Sequence, residues 1–415
     1  MSLGLTNHKR KIMKGNKDNE TKPKVPCCIE TSRNHETTKL QYKTTKPQNH
    51  VVYGRLYPCS SQRELVRGGE KAKTGKFGKF LAANTVLDLL KERKETKEII
   101  TLQHNVTVER ALKTLNQNKI TSAPVVLAAS VLDNDANDFM GIIDAGEILR
   151  KLCRETRLLE EIQKIQEQKL NVDEKIEDCE RAFETSCREF WQRKLIQVCG
   201  QDVTLLPTVF ADTDLKTLIS QMLFDKSGNP IHRVALLNQA EVQALVTQSD
   251  VLKFLHQHKS EIGGILKEKI EDLGLYNPKK GVVTVTSDTI AMEAFHEMFQ
   301  KNLSCLGIVD ENGTMLGNLS VSDLRGLTVD RFSSLSHCVT EFLKISKALS
   351  RSFATVLNAQ LNDLRTLAVN PGSTFEELLD LITKNRVHRA YVVDENCKPL
   401  GVITLSDVLL MLLKA

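Results

Sequence analysis

Two His-Arg pairs, His232-Arg233 and His388-Arg389, open apolar, strand-like runs in the second half of the chain. Some 15 and 16 residues after each histidine stands a hydroxyl followed at the third position by an aspartate, Thr247…Asp250 and Thr404…Asp407, with Ser406 inside the second cluster. Ser320…Asp323 repeats the cluster without a His-Arg pair. Charged groups beside a buried strand are costly unless paired or liganded. A guanidinium forks onto phosphate oxygens and an imidazole adds a donor. The open N–H groups of a following helix favour an anion. A carboxylate in the first helical turn can accept both hydroxyls of a ribose, each bond worth on the order of 1.5–3 kcal/mol. Together these residues supply the parts for phosphate and sugar, and the apolar strands supply a slot for a base. A plainer reading stands beside this one: a Thr N-cap with an acid three positions on is an ordinary helix start.

The elements that must carry these residues recur four times. The strand pairs read KITSAPVVLAASVLDNDANDFMGIIDAGEILRKL (119–152), PIHRVALLNQAEVQALVTQSDVLKFL (230–255), NLSCLGIVDENGTMLGNLSVSDLRGL (302–327) and VHRAYVVDENCKPLGVITLSDVLLML (387–412). An amphipathic helix precedes each pair. Phe375, Leu378, Leu379 and Ile382 show its i, i+3, i+4, i+7 spacing, as do Leu215, Leu218, Ile219 and Met222. Ser373 and Glu376 are expected to form a capping box at its start. A further strand is expected before each helix, at 98–102, 205–210, 282–286 and 365–369. Each unit is therefore strand, helix, strand, strand, helix, an α/β (α+β) arrangement. A unit of this size buries little core alone, so pairing is expected.

Composition narrows the function classes. The chain has 415 residues, 41% hydrophobic and 26% charged, as soluble globular proteins do. No apolar run approaches the roughly 18 residues of a membrane span, and the N-terminus lacks a signal-peptide core. Residues 1–80 hold 18 Lys+Arg and 6 Asp+Glu, a net +12. Against +5 for the whole chain, that leaves −7 for the remainder, which argues against a nucleic-acid-binding body. The stretch reads as a disordered basic tail. Within it, His8-Lys9-Arg10-Lys11 fits either a solvated tail or a nuclear address, and VVYGRLYP (51–58) could order on a partner. The cytoplasm is the expected location, with the nucleus as a second one. The ten cysteines form no CxxC and no spaced Cys/His set, so they read as reduced, small apolar residues.

The four units resemble cystathionine-beta-synthase (CBS) domains over about residues 85–415. The order of variants, ITSAPVV (120–126), IHR (231–233), LSCLGIVDENG (303–313) and VHRAYVVDE (387–395), is more specific. It resembles the gamma regulatory subunits of AMP-activated and sucrose-non-fermenting-type protein kinases, and VLKFL (251–255) and DRFSSL (330–335) add to the match. The resemblance implies two Bateman modules, each a CBS pair, joined in a disc with nucleotide phosphates toward its centre. It implies a non-catalytic sensor of AMP, ADP and ATP that needs no cofactor or metal and joins kinase alpha and beta subunits. It assigns ribose to Asp250, Asp323 and Asp407. It assigns phosphate to His232, Arg233, His388, Arg389, Thr247, Ser304, Ser320, Thr404 and Ser406. The repeats would span 81–155, 199–262, 263–330 and 331–415, with a helical insertion at 156–198.

The sequence also departs from that family. Unit one carries Asp144-Ala145-Gly146-Glu147 in place of hydroxyl-x-x-Asp, which sets a negative charge near any phosphate. Thr121 and Ser249 replace basic residues of animal gamma subunits, whereas Asp250 is an acid those subunits commonly lack. In the insertion, Ile176, Cys179, Phe183, Cys187 and Phe190 form one helical stripe, and Leu152, Leu159 and Ile162 suggest another before it. LNVDEK (170–175) would turn between them. The stripe either packs on the protein's own body or docks a partner chain. No Gly-rich phosphate loop, nucleophile motif or HExxH appears, so no enzyme activity is expected. Competing readings are a tandem-CBS scaffold for a kinase or phosphatase, and a binder of another adenosyl ligand such as S-adenosylmethionine. The His-Arg pairs favour a phosphorylated ligand over the latter.

Overall fold

The computed structural model describes residues 75–93, 99–127, 139–169, 171–199, 207–223, 230–238, 241–349 and 368–414. The basic stretch through residue 74, including 8–11 and 51–58, lies outside the described residues. The chain enters through α1 (Lys76–Ala83) and α2 (Val86–Lys91). Unit one is β1 (Leu102–Gln103), α3 (Val108–Gln117), β2 (Ser122–Val126), β3 (Phe139–Asp144) and α4 (Ala145–Glu155). Then come α5 (Leu158–Gln166), α6 (Val172–Gln192) and α7 (Leu195–Cys199). Unit two is β4 (Thr208–Val209), α8 (Leu215–Gln221), β5 (Arg233–Asn238), β6 (Glu241–Thr247) and α9 (Gln248–Gln257), followed by α10 (Lys259–Ile262). Unit three is β7 (Thr284–Thr286), α11 (Ala291–Gln300), β8 (Cys305–Val309) and β9 (Met315–Ser320), then 3-10 turns at Val321–Leu324 and Val329–Ser336, and α12 (Val339–Leu349). Unit four is β10 (Ala368–Val369), α13 (Phe375–Asn385), β11 (Arg389–Val393), β12 (Pro399–Thr404) and α14 (Leu405–Lys414).

Each unit builds one three-stranded sheet in which the first strand runs parallel to the second and the second antiparallel to the third. The register slips at the same place in every antiparallel pair: Val125/Val126, Leu236/Leu237, Ile308/Val309 and Val392/Val393. The expected repeat of strand, helix, strand, strand, helix is thus observed, with two differences. The opening strands are only two or three residues long. After Ser320 the chain forms a short 3-10 turn rather than an α-helix, and Gly326 follows at φ 90°.

Local chemistry explains the helix starts. The cap of α13 falls one residue later than expected. Thr374, not Ser373, is the N-cap, and its box partner is Glu377 rather than Glu376. Ser373 instead accepts a hydrogen bond from the Asn370 backbone N–H and closes the preceding turn. Its hydroxyl is therefore engaged upstream, and Thr374 is the next residue able to cap.

Every unit's first helix is also fastened by a strap from elsewhere in the chain. Thr107 bridges Lys194 beside α7, and Ile290 bridges Cys338 beside α12. Asp214 bridges Thr85, ahead of α2, and Thr374 bridges Lys269. The segment before unit one thus straps unit two, and the segment before unit three straps unit four. The segments after units one and three strap those units themselves. This symmetry groups unit one with unit two and unit three with unit four.

The cores divide differently. Units one and three share one buried cluster, which includes Leu112, Leu149, Phe295 and Leu319. Units two and four share the other, which includes Leu218, Leu255, Leu379 and Leu409. Residues 76–80, counted with the basic tail, begin α1, because Phe77 and Leu81 bury their side chains in that second core. α12, counted with unit four, packs into the core of unit three through Val339, Phe342 and Leu343.

The insertion packs on the protein's own body. Cys179, Phe183, Cys187 and Phe190 are buried in the core of units one and three, and Asn171 and Glu174 cap α6 where the turn was expected. Burial pushes the Cys153 and Cys187 thiols up to about 12, so they remain inert apolar residues. Trp191 and Phe183 meet the ring of Phe332 edge-on, at 4.6 and 5.9 Å. Trp191 is the chain's only tryptophan and is buried. Phe332→Ala should therefore shift its emission to the red and lower stability in chemical denaturation by about 3–5 kcal/mol. Unchanged emission would place the insertion elsewhere.

Candidate functional site

One hydrogen bond recurs at the inner end of every unit. The residue before the central strand offers its carbonyl to the first N–H of the closing helix or turn. The bonds are Ala145 N to Thr121 O at 2.9 Å, Gln248 N to His232 O at 3.1 Å, Val321 N to Ser304 O at 3.1 Å and Leu405 N to His388 O at 3.3 Å. The ladder then pairs Ser122 with Asp144, Arg233 with Thr247, Cys305 with Ser320 and Arg389 with Thr404. Thr121, His232, Ser304 and His388 are therefore equivalent positions. Units two and four fill them with His-Arg, and units one and three with small residues.

The two His-Arg pairs and a fifth basic residue act on one another. The His388 imidazole is pushed down to about 4, first by burial and then by the charges of Arg389, His232, Arg325 and Arg233. His232 is shifted down by burial, Arg233 and Arg389. Both histidines still keep part of their surface open. Arg233 is lowered by burial, with the carboxylate of Asp144 opposing. The Asp144 carboxylate acts on His232 as well, so the negative charge foreseen in unit one is felt by the basic residues.

The arginines are short of acceptors. Arg389 is 8% exposed. It makes only long bonds, to Ser304 O at 3.3 Å, Ser304 Oγ at 3.5 Å and Asn318 Oδ1 at 3.5 Å. Asn318 is held by the Tyr391 hydroxyl at 2.6 Å. The Nε atoms of Arg389 and Arg325 are buried without a partner. Buried guanidinium donors left open in this way fit an anion. The structure thus joins Ser304 of unit three to Arg389 of unit four.

The aspartates do what the plain reading expected, and Asp407 has capacity left over. Asp407 Oδ2 accepts from Thr404 N at 2.8 Å and Oγ1 at 2.6 Å, and Asp407 N donates back at 3.3 Å. Asp250 makes the same box with Thr247, and Asp323 with Ser320. In Asp407 these bonds use one oxygen and leave Oδ1 without one among the described residues. Burial raises the Asp407 pKa, and the Thr404 bonds and Lys280 oppose the shift.

Other hydroxyls and small residues have local duties. Ser406 is buried and its hydroxyl pairs with Gln248, at 2.9 and 3.2 Å, across the core of units two and four. In unit one Glu147 pairs with Arg150 of its own helix at 3.4 Å. Gly146 there lies so close to unit three that a Cβ would stand 2.6 Å from Val321. Beside the Asp407 cluster, Tyr276 covers Gly401, where a Cβ would stand 2.7 Å from its ring.

Sequence reasoning missed Arg325, Arg93, Tyr276 and Lys280. Arg325 left a signal, since it stands where units two and four carry the core residues Leu252 and Leu409. The other three lie in straps before units one and three, where no periodicity marks them. Among the described residues no cluster of His, Cys, Asp or Glu could hold a metal, and no helix is long and apolar enough to cross a membrane.

The CBS domain family model matches residues 93–154, 270–330 and 363–414, which fall on units one, three and four. Unit two, between the first two matches, has the same element order and register slip. This chain carries CBS domains at those three places, and unit two repeats their architecture. The chain is homologous to the gamma subunits of AMP-activated protein kinase and to SDS23 proteins. It is 25% identical over 364 residues to the 5'-AMP-activated protein kinase subunit gamma of Saccharomyces cerevisiae, across 85% of this chain and 98% of that one. It is also 25% identical over 332 residues to protein SDS23 of Candida albicans, across 74% of this chain. The chain spans about half the length of that relative, 48%. A solved protein of Methanocaldococcus jannaschii matches with TM-score 0.46 at 20% identity, over 76% of this chain and 96% of that one. Regulatory chains of the gamma class are non-catalytic.

The charge cluster gives a titration test. A neutral imidazole that titrates near 4 in the fold and near 6.5 in the unfolded chain makes the unfolded state bind more protons between those values. Stability should therefore fall as pH drops from 6.5 toward 4. Arg325→Leu should raise the His388 pKa, read by NMR of the imidazole. An unmoved resonance would separate Arg325 from the cluster.

Proposed function

We infer that this chain is a non-catalytic regulatory subunit of gamma type that binds adenine nucleotides. AMP, ADP and ATP compete for its CBS pockets, and the chain passes their occupancy to kinase alpha and beta subunits. The observation that carries this reading is the set of five basic side chains, His232, Arg233, Arg325, His388 and Arg389, with buried arginine donors left open. Arg389 is the buried cation among them, its bonds are long and go to neutral groups, and a phosphate would supply the missing opposite charge. The cluster ending in Asp407 offers a carboxylate oxygen for ribose at the other end of the same strand-to-helix junction. The gamma-subunit relatives support the assignment to a kinase. Regulation then follows from linkage: only a nucleotide that binds two states of the complex differently shifts their balance.

A second reading, a tandem-CBS scaffold with reduced sensing, is favoured by the Asp144 charge that acts on Arg233 and His232 and by the SDS23 relatives. Calorimetry with AMP, ADP and ATP separates the two, since the scaffold binds none of them at millimolar concentration. Arg389→Ala should weaken AMP binding by roughly 10- to 150-fold, the equivalent of a charged hydrogen bond of about 1.5–3 kcal/mol. Asp407→Ala should remove one site while the melting profile by circular dichroism stays cooperative. Binding should also take up protons near pH 5.5, because a phosphate beside His388 and His232 raises their pKa values. A calorimetric heat independent of buffer ionisation at that pH would remove the phosphate from the basic cluster.

A further inference from the structure

Unit two differs from unit four at the aspartate that ends its junction. Asp250 Oδ2 accepts from Thr247 and is also paired with Arg93 Nη2 at 3.5 Å. The same guanidinium donates through Nη1 to the backbone oxygen of Leu245 on β6, at 3.0 Å. One side chain thus spans the carboxylate and a strand carbonyl beside it. The space left among Leu89, Arg93, Asp250 and Phe254 is about 20 Å³. That is room for about a single water between the side chains.

Arg93 is delivered by a fastened element. Val86 and Leu87 of α2 donate to Thr213 O and Ala211 O of unit two, both at 2.9 Å, and Glu92 at the end of α2 pairs with His258 at 2.9 Å. The second tandem pair has the equivalent strap, which bridges Thr374 through Lys269 and runs on to Lys280. There the cation stops short. Lys280 is a neighbouring charge for Asp407 and forms no ion pair with it among the described residues. The same architecture therefore occurs in two forms, one with the carboxylate occupied from within and one with it open.

We propose that Arg93 is a built-in occupant of the ribose position of unit two, so that unit two is a latent nucleoside site closed by its own strap. The proposal rests on the reading of these carboxylates as ribose holders given under the proposed function. The ion pair is partly exposed, with 29% of the Arg93 side chain and 19% of the Asp250 side chain accessible. Pairs of this kind are weak, so the plug can be removed by one substitution.

The test is equilibrium dialysis of the full chain against radiolabelled AMP, with Asp407→Ala marking the unit four site. Arg93→Gln, and Arg93→Met as a second variant that keeps an unbranched stem, should each bind one further equivalent of AMP per chain. The double variant Arg93→Gln/Asp250→Ala should return to the wild-type count. An unchanged count in both single variants, with wild-type binding intact, overturns the plug and leaves the sensor reading standing. A gained equivalent that survives Asp250→Ala also overturns it, because the new site is then not in unit two. If neither wild type nor variants bind AMP, the sensor reading falls and the proposal falls with it.

Discussion

The fold turns on a single backbone hydrogen bond used four times. By tying the carbonyl before each central strand to the first N–H of the closing helix or turn, it sets the start of one strand against the end of the next. Whatever residues occupy those two ends are then neighbours, however far apart they lie in sequence. His388 meets the Thr404 to Asp407 cluster for this reason, and His232 meets Thr247 and Gln248 for the same one. The hydroxyl-aspartate capping box fixes the helix start beside them. Function enters through side chains placed on a junction that is structural in origin.

Electrostatics then separates the four copies. Were all four junctions to carry His-Arg, further like charges would join those that already lower His232 and His388. Units one and three avoid this with Thr121 and Ser304, and unit one adds the carboxylate of Asp144. The remaining excess of cations stays because some donors are aimed where no protein acceptor lies. Arg389 shows the compromise. It reaches Ser304 and Asn318 at the limit of hydrogen-bonding distance and leaves Nε open.

Much of this was legible in the sequence, since period and spacing are local. The four units, their strand pairs and the amphipathic helices followed from apolar spacing alone, and the His-Arg pairs and aspartates from repetition. The misjudged details concern competition at short range. Ser373 and Thr374 are both good caps, and the tie is broken by a turn hydrogen bond that composition does not reveal. The apolar stripe of α6 left a partner chain open as the second reading. Only the position of Phe332, more than a hundred residues away, decides that it is used internally. Arg93 and Tyr276 were invisible for a related reason: each acts on a residue over a hundred positions distant, from a strap with no periodic signal. Arg325 could have been found as the charged residue that breaks a leucine position.

The crossing of tandem pairs and cores has a consequence for how the molecule holds together. Sequence and straps group units one with two and three with four, while the buried side chains group one with three and two with four. Neither tandem half owns a complete interior. Cut between the two pairs, the chain would give two pieces, each holding half of both cores and each exposing apolar surface that the whole molecule buries. A molecule woven in this way has no independent halves to move, so a disturbance at one junction is carried by shared packing into the opposite pair.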